Sequence, residues 1–243
     1  MSEIREEIVE FHEGEQRLEA KAFVPAGESL RASVLVAHTW AGRGDFECGQ
    51  ARALAELGYV GFAADLFGDG RVGASPEENR ANLDGMLADR DLLQRRLRVN
   101  LDAMKAMSAV ASEATAAVGY CFGGLCVLDM ARGGLDVRGV VGFHGLVDPP
   151  PAGTEAGSGR AIEAKVLLCN GAKDPWVPRD KLAALEDELT AAGADWQIHQ
   201  YGGAMHAFTN PSANSPDAGA LYDEVVARRA WRSMTDFLGD LFD

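Results

Sequence analysis

The sequence predicts an α/β fold: a mainly parallel central sheet with helices on both faces, preceded by an N-terminal β-hairpin. Three observations predict it. Short apolar runs of strand length alternate with helical patterns, and parallel neighbours need crossover connections of that kind. Several runs, Ser33 to His38 and Tyr59 to Ala64 among them, are continuously apolar, as strands covered on both faces are. The residues with chemistry to offer each follow such a run within a few positions, where ligands bind in sheets of this type.

At 243 residues the chain is read as one domain, 1–243, able to bury a full core. A hydrophobic share of 47% and a charged share of 25% are those of an ordinary globular protein. The net charge of −14 argues against nucleic acid or an anionic membrane as partner, because both need Lys/Arg-rich faces. Met1 to Glu7 is charged from the outset, so no signal peptide is expected, and no apolar run is long enough to span a bilayer. Cys48, Cys121, Cys126 and Cys169 show neither CxxC pairing nor zinc-ligand spacing and read as reduced thiols of a cytoplasmic protein.

Taken in order, Ile4 to Phe11 and Gln16 to Val24 flank a turn at His12 to Glu15, with Gly14 as turn residue and His12 solvated. Ser33 to His38 is a buried strand that ends in the glycine-bearing loop Thr39 to Asp45. A helix follows over Gln50 to Leu57, stopped by Gly58. Tyr59 to Ala64 is the next strand and leads into Asp65 to Arg71. Ser75, Pro76 and Glu78 make a helix start: an N-cap, a proline in the first turn and an acid three places on. Helical spacing then runs through Leu83, Met86, Leu93, Leu97, Leu101 and Met104, as two helices or one bent one. The charges Asp89, Arg90, Asp91, Arg95, Arg96 and Arg98 read as a solvated face carrying i,i+4 pairs.

Ala114 to Val118 is a strand that turns sharply through Gly119-Tyr120-Cys121-Phe122-Gly123 into a helical pattern from Gly124 to Arg132. This is the strand–turn–helix setting of a G-x-nucleophile-x-G elbow, with cysteine where serine usually stands. Glycines suit it because side chains beside a strained nucleophile would collide. A cysteine there meets a helix N-terminus, which favours an anion. The competing reading is a buried structural cysteine before a helix. Val137 to Phe143 and Lys165 to Cys169 are further strands, Arg179 to Ala192 a helix, Trp196 to Tyr201 a strand, and Asp217 to Leu238 a final helix.

A thiol nucleophile needs a base, and the base needs a partner that fixes its tautomer. His206 stands in a glycine-rich loop after the last strand, and Asp174 in a loop after the preceding one. The order Cys121, Asp174, His206 is nucleophile–acid–histidine, which is that of the α/β-hydrolase fold. As an ordinary Asp-Pro turn residue Asp174 would need no such role. His199, in an alternating strand, reads as a surface or packing residue. His38 and His144 end strands and either line the pocket or are satisfied core histidines. Two N–H donors are needed for an oxyanion: the backbone of Phe122, after the nucleophile, and that of Trp40.

A family resemblance rests on Val34 to Gly42 (VLVAHTWAG), Asp65 to Gly68 (DLFG), Gly119 to Gly124 (GYCFGG), Gly171 to Pro175 (GAKDP) and Met205 to Pro211 (MHAFTNP). In these motifs the chain resembles the dienelactone hydrolase family of α/β-hydrolases over nearly its whole length. The resemblance implies a carboxylic ester or lactone hydrolase with Cys121, His206 and Asp174 as triad, a thioester acyl-enzyme, a small-molecule substrate, and no metal or cofactor. Family members acting on dienelactone carry a glutamate just before the oxyanion-hole residue, where this chain has Thr39. They also carry a substrate-clamping arginine four residues past the histidine, where it has Asn210; Arg71 answers to a second arginine. Both departures move the expected substrate to a less charged ester or lactone than dienelactone, with His206 activating the thiol directly. Position after strands makes Thr39, Phe67, Arg71, His144, Trp176 and Phe208 candidate substrate-binding residues. The alternative is a non-catalytic member that binds a small ligand.

Overall fold

A computed structural model describes residues 3–243; Met1 and Ser2 of the charged start lie outside them. Strands β1 (Ile4–Glu13) and β2 (Gln16–Pro25) form the expected hairpin, and its turn is the two residues Gly14 and Glu15, with Gly14 at φ +56. His12 therefore lies within β1, exposed and opposite Arg17. The remaining main strands are β3 (Arg31–Ala37), β4 (Val60–Ala63), β5 (Val110–Tyr120), β6 (Gly139–Phe143), β7 (Lys165–Gly171) and β8 (Trp196–Tyr201). They form an eight-stranded sheet in the order β1-β2-β4-β3-β5-β6-β7-β8, antiparallel at β1/β2 and β2/β4 and parallel everywhere else.

Helices cover both faces, and the strands show why. Leu35 and Ala37 of β3 pack into one apolar cluster with α2 (Pro76–Ala88), α3 (Arg90–Lys105), α4 (Phe122–Arg132) and α5 (Arg179–Ala191). Val34 and Val36, one position out of step, join the opposite cluster with α1 (Asp45–Glu56) and α6 (Glu224–Phe242). A run buried on both sides has no polar face to give it alternation. At roughly 25 cal/mol per Å² of apolar surface removed from water, these two clusters supply the main drive to fold.

Three expectations are corrected. Helix α1 begins at Asp45, five residues before the expected Gln50, because the Glu47 side chain reaches back to accept from the Gly44 backbone N–H at 3.0 Å. The charges around Asp89 are a solvated face only in part, with Asp89, Asp91, Arg95 and Arg98 exposed, and they make no i,i+4 pairs with one another. Arg90 and Arg96 are buried; the Arg90 Nε donates to Asp129 at 2.7 Å across to α4, and Arg96 donates to the Leu66 carbonyl. Arg95 reaches Glu13 of β1, and Arg98 pairs with Glu155. Asp89 itself ends α2 and caps α3, accepting from Leu92 N at 2.8 Å, so the long helical pattern is two helices. Finally, α6 starts at Glu224, not Asp217. The residues before it form a two-residue antiparallel pair, β9 (Asn214–Ser215) with β10 (Ala220–Leu221), around a 3₁₀ turn, Pro216–Ala218. Gly219 at φ +78 cannot continue a helix, and the true N-cap is Asp223, which accepts from Val226 N at 3.0 Å.

Candidate active site

Cys121 lies at the junction of β5 and α4 with φ +57 and ψ −115, a conformation that costs a non-glycine residue about 1–3 kcal/mol. Its neighbours hold it there. Its N–H donates to the Phe143 carbonyl at 3.1 Å, and its own carbonyl accepts from Gly124 N at 3.0 Å. The turn is too tight for side chains: a Cβ on Gly119 would lie 1.9 Å from the Gly123 carbonyl oxygen, and one on Gly123 2.2 Å from that of Ala37. Sequence reasoning placed glycines here for this reason, and the distances bear it out.

The histidine arrives by a different route. His206 N donates to the Gly219 carbonyl at 2.9 Å, and the His206 carbonyl accepts from Leu221 N at 3.0 Å, so the β9–β10 pair grips it. The acid's loop is fastened to the same place. Lys173 N donates to the Ala204 carbonyl at 2.9 Å, and Gly219 presses so close to Pro175 that a Cβ would meet its ring at 2.4 Å. Within this frame His206 Nδ1 lies 2.7 Å from Asp174 Oδ2, and both residues are buried. The second Asp174 oxygen accepts from Trp176 N at 2.9 Å, which fixes the carboxylate's orientation.

Burial alone would lower the His206 pKa. The charge of the nearby Cys121 sulfur and the hydrogen bond to Asp174 outweigh it and raise the value to about 9. Sulfur and ring are close enough for Cys121 to help raise the ring's pKa. The other cysteines are pushed toward the neutral thiol by burial: Cys126 well up, Cys169 up to about 12, and Cys48 up, opposed by the Arg43 guanidinium.

Trp40 N–H and Phe122 N–H have no hydrogen-bond partner among the described residues, so both are available to an incoming oxygen. Trp176 is 44% exposed and meets the His206 ring edge-on, centroids 4.4 Å apart, as a lip of the site. His144 is buried and stacks edge-on with His206 at 5.0 Å, its Nε2 2.7 Å from the Thr209 hydroxyl. Thr39 is half-buried, and Phe67, 5% exposed, stacks on Phe122. Arg71 is exposed on the loop that bridges to Gly42 through Val72.

One candidate falls differently from expectation, and one open alternative is decided. Phe208 is no wall of an open pocket. It is fully buried against His144 and Tyr201 in the α6-side core, because the chain turns inward after the left-handed Ala207. His38 is a satisfied core histidine, bonded through both ring nitrogens to backbone. His199 meets Ser233 at 3.2 Å, the packing role expected of it. One residue near the site was missed by sequence reasoning: Glu47, buried, whose Oε1 accepts from Thr39 N at 2.9 Å. An acid three residues after a glycine that opens a helix was the available signal.

No cluster of three or more His, Cys, Asp or Glu side chains suited to a metal ion occurs among the described residues. A hollow of about 310 Å³ lies elsewhere, bordered by Arg132, Pro149, Arg160 and Glu188. The Arg132 guanidinium in its wall is already paired with Glu188, and the hollow brings together no nucleophile and base. The chemistry therefore converges at the strand ends.

Comparison with known proteins agrees with the fold. The model of the dienelactone hydrolase family matches residues 18–242. The crystal structure of a dienelactone hydrolase-like promiscuous phosphotriesterase, P91, from metagenomic libraries superposes with a TM-score of 0.93 at 33% identity, covering 99% of each chain. An uncharacterized protein of Caenorhabditis elegans, K02A2.1, is 34% identical over 65% of this chain and 99% of its own. A probable 2-oxo-3-(5-oxofuran-2-ylidene)propanoate lactonase of Bradyrhizobium sp is 26% identical over 76% of this chain and 74% of its own. Matched by the family model over residues 18–242 and by a 33%-identical structure over 99% of its length, the chain belongs to the dienelactone hydrolase family and is a hydrolase.

Proposed function

We propose that this hydrolase cleaves small carboxylic esters or lactones through a Cys121–His206–Asp174 triad, working as one catalytic domain in the cytoplasm. The observation that carries the proposal is the 2.7 Å contact of His206 Nδ1 with the buried Asp174, with the strained Cys121 close enough for its charge to raise the ring. The buried carboxylate holds the imidazole in one tautomer and leaves Nε2 for the sulfur. Free cysteines throughout suit a reducing compartment, and among the described residues no helix is long and apolar enough to cross a membrane.

The thiolate attacks the carbonyl carbon, and the carbonyl π electrons move to oxygen, where the N–H groups of Trp40 and Phe122 meet them. Collapse of the tetrahedral adduct expels the alkoxide, which takes the proton from His206 imidazolium and departs as alcohol. The neutral ring then removes a proton from water as it adds to the thioester. The second collapse releases the acid and returns the thiolate. Oxyanion donors are worth about 10²–10³ in kcat each when removed.

Thr39 stands where a glutamate would take the thiol proton, so the proton's acceptor is His206 itself, as a thiolate–imidazolium pair. Asn210 stands four residues past the histidine, where dienelactone-acting members clamp the substrate with an arginine, and Arg71 is exposed. A weakly charged ester or lactone fits better. A panel of p-nitrophenyl esters, lactones and a phosphotriester, run on wild type beside Cys121→Ala and Cys121→Ser, tests this. We expect carboxylic ester or lactone turnover that Cys121→Ala abolishes; full activity in that variant would remove the triad.

A further inference from the structure

Behind the oxyanion position the backbone is held from two sides by side chains that take no part in the proposed chemistry. His38 is fully buried. Its Nδ1 lies 2.6 Å from the Thr39 carbonyl oxygen, and its Nε2 lies 3.2 Å from Leu66 N. A carbonyl can only accept and a main-chain N–H can only donate, so the ring is a neutral imidazole with its proton on Nδ1. Opposite it, the Glu47 carboxylate accepts from Thr39 N at 2.9 Å with one oxygen and from Gly44 N at 3.0 Å with the other. A helix cap needs only the Gly44 bond. The Thr39 bond is additional, and it ties helix α1 to the loop that carries Trp40.

The geometry of a peptide makes the link to the site. No cis peptide occurs among the described residues, so the Thr39 carbonyl and the Trp40 N–H point in opposite directions from one rigid plane. Whatever holds the Thr39 oxygen therefore aims the Trp40 N–H. His38 holds it at 2.6 Å, and Gly42 N, at 3.3 Å, is the weaker second partner. Glu47 fixes the preceding plane through Thr39 N. Charge-assisted bonds of this kind are roughly twice as strong as neutral ones, and stronger still away from water.

We propose that His38 and Glu47 are positioning residues of the oxyanion hole: they lock the two peptide planes flanking Thr39 and so point the Trp40 N–H at the substrate's carbonyl oxygen. The inference rests on Cys121 as nucleophile, and the test separates the two. Ester hydrolysis develops an oxyanion; alkylation of Cys121 by iodoacetamide displaces iodide at a saturated carbon and develops none. Loss of aim should slow the first and spare the second.

The experiment measures p-nitrophenyl acetate kinetics and iodoacetamide alkylation of Cys121, followed by mass, on the full chain as wild type, His38→Phe, His38→Asn and Glu47→Gln. In His38→Phe we expect kcat to fall about 100-fold with KM within about threefold, the scale of a lost or misaimed donor. Its alkylation rate should stay within about twofold of wild type. His38→Asn, whose side-chain amide can again donate to the Thr39 oxygen, should recover kcat to within about tenfold of wild type. Glu47→Gln turns an NH₂ toward one of two N–H donors and should lose about tenfold in kcat with alkylation again spared. A kcat within threefold of wild type in His38→Phe overturns the proposal. So does a parallel loss of hydrolysis and alkylation that His38→Asn does not rescue. Should His38→Phe fail to fold, the same pair of measurements on Glu47→Gln decides. A wild type whose hydrolysis survives complete alkylation of Cys121 overturns the nucleophile reading and the inference with it.

Discussion

His206 and His144 are buried alike, 3% and 1% exposed, with ring centroids 5.0 Å apart, yet they treat a proton in opposite ways. His206 is raised to about 9, while His144 is held well below the usual range, by burial first and by the charge of His206 second. The difference lies in what each ring faces. Asp174 and the Cys121 sulfur both act to raise His206; His144 has the Thr209 hydroxyl at Nε2 and no partner at Nδ1 among the described residues. Burial sets the stakes for a charge, and the partner decides whether it is kept. Both rings stand on irregular backbone, His144 itself at φ +38 and His206 beside Ala207 at φ +55, so position alone does not separate them.

The comparison is broken most directly by removing each ring. His206→Ala should cost about 10⁴-fold or more in kcat on a p-nitrophenyl ester, whereas His144→Asn, which tolerates the left-handed backbone, should stay within about tenfold. Equal losses would show that the two rings share the work. Asp174→Asn comes next. It keeps the shape but loses the charge and the fixed tautomer, and kcat should drop by about 10²–10⁴-fold with KM little changed.

The pH profile sharpens the contrast further. On the proposed mechanism, the His206 ring below about 9 carries its proton and can hand it to the departing alkoxide; above it the ring is neutral and the proposed thiolate loses its cation. The kcat/KM profile should therefore fall as pH rises through about 9, and the fall should move to lower pH in Asp174→Asn. A profile still rising at pH 10 would contradict the pairing. The smallest effect belongs to the silent partner. Thr209→Val leaves the His144 Nε2 without its hydroxyl and should lower stability by about 1–3 kcal/mol, read as a lower Tm, with activity nearly intact.

Much of this arrangement could be read from the chain because its causes are local. Continuous apolar runs gave the parallel strands, the Ser75-Pro76 start gave α2, and paired glycines around Cys121 gave the elbow. What escaped has causes distant in sequence. Arg90 sits in a run of charges that reads as solvated, but its partner Asp129 is 39 residues on, buried in α4 beside Arg132. No local pattern signals that pairing. The stretch from Asp217 to Asp223 passed for a helix start because a two-residue strand has no periodicity to recognise. Only the left-handed Gly219 marked the break. Phe208 and Glu47 were misjudged or missed for one reason: which way a loop residue points is settled by the packing around it. The order Cys121, Asp174, His206 was legible; the framework around those residues was not.

The β9–β10 pair has a bearing on how this enzyme could acquire new specificities. It clasps the imidazole's backbone on one side and leans on Pro175, beside the carboxylate, on the other, while Pro216 to Ala218 at its tip are exposed. Insertions or exchanges at that tip could therefore reshape the surface beside the site while the clasp keeps His206 and Asp174 in register. Directed evolution aimed at altered substrate range would do well to randomise those positions and leave Gly219 alone.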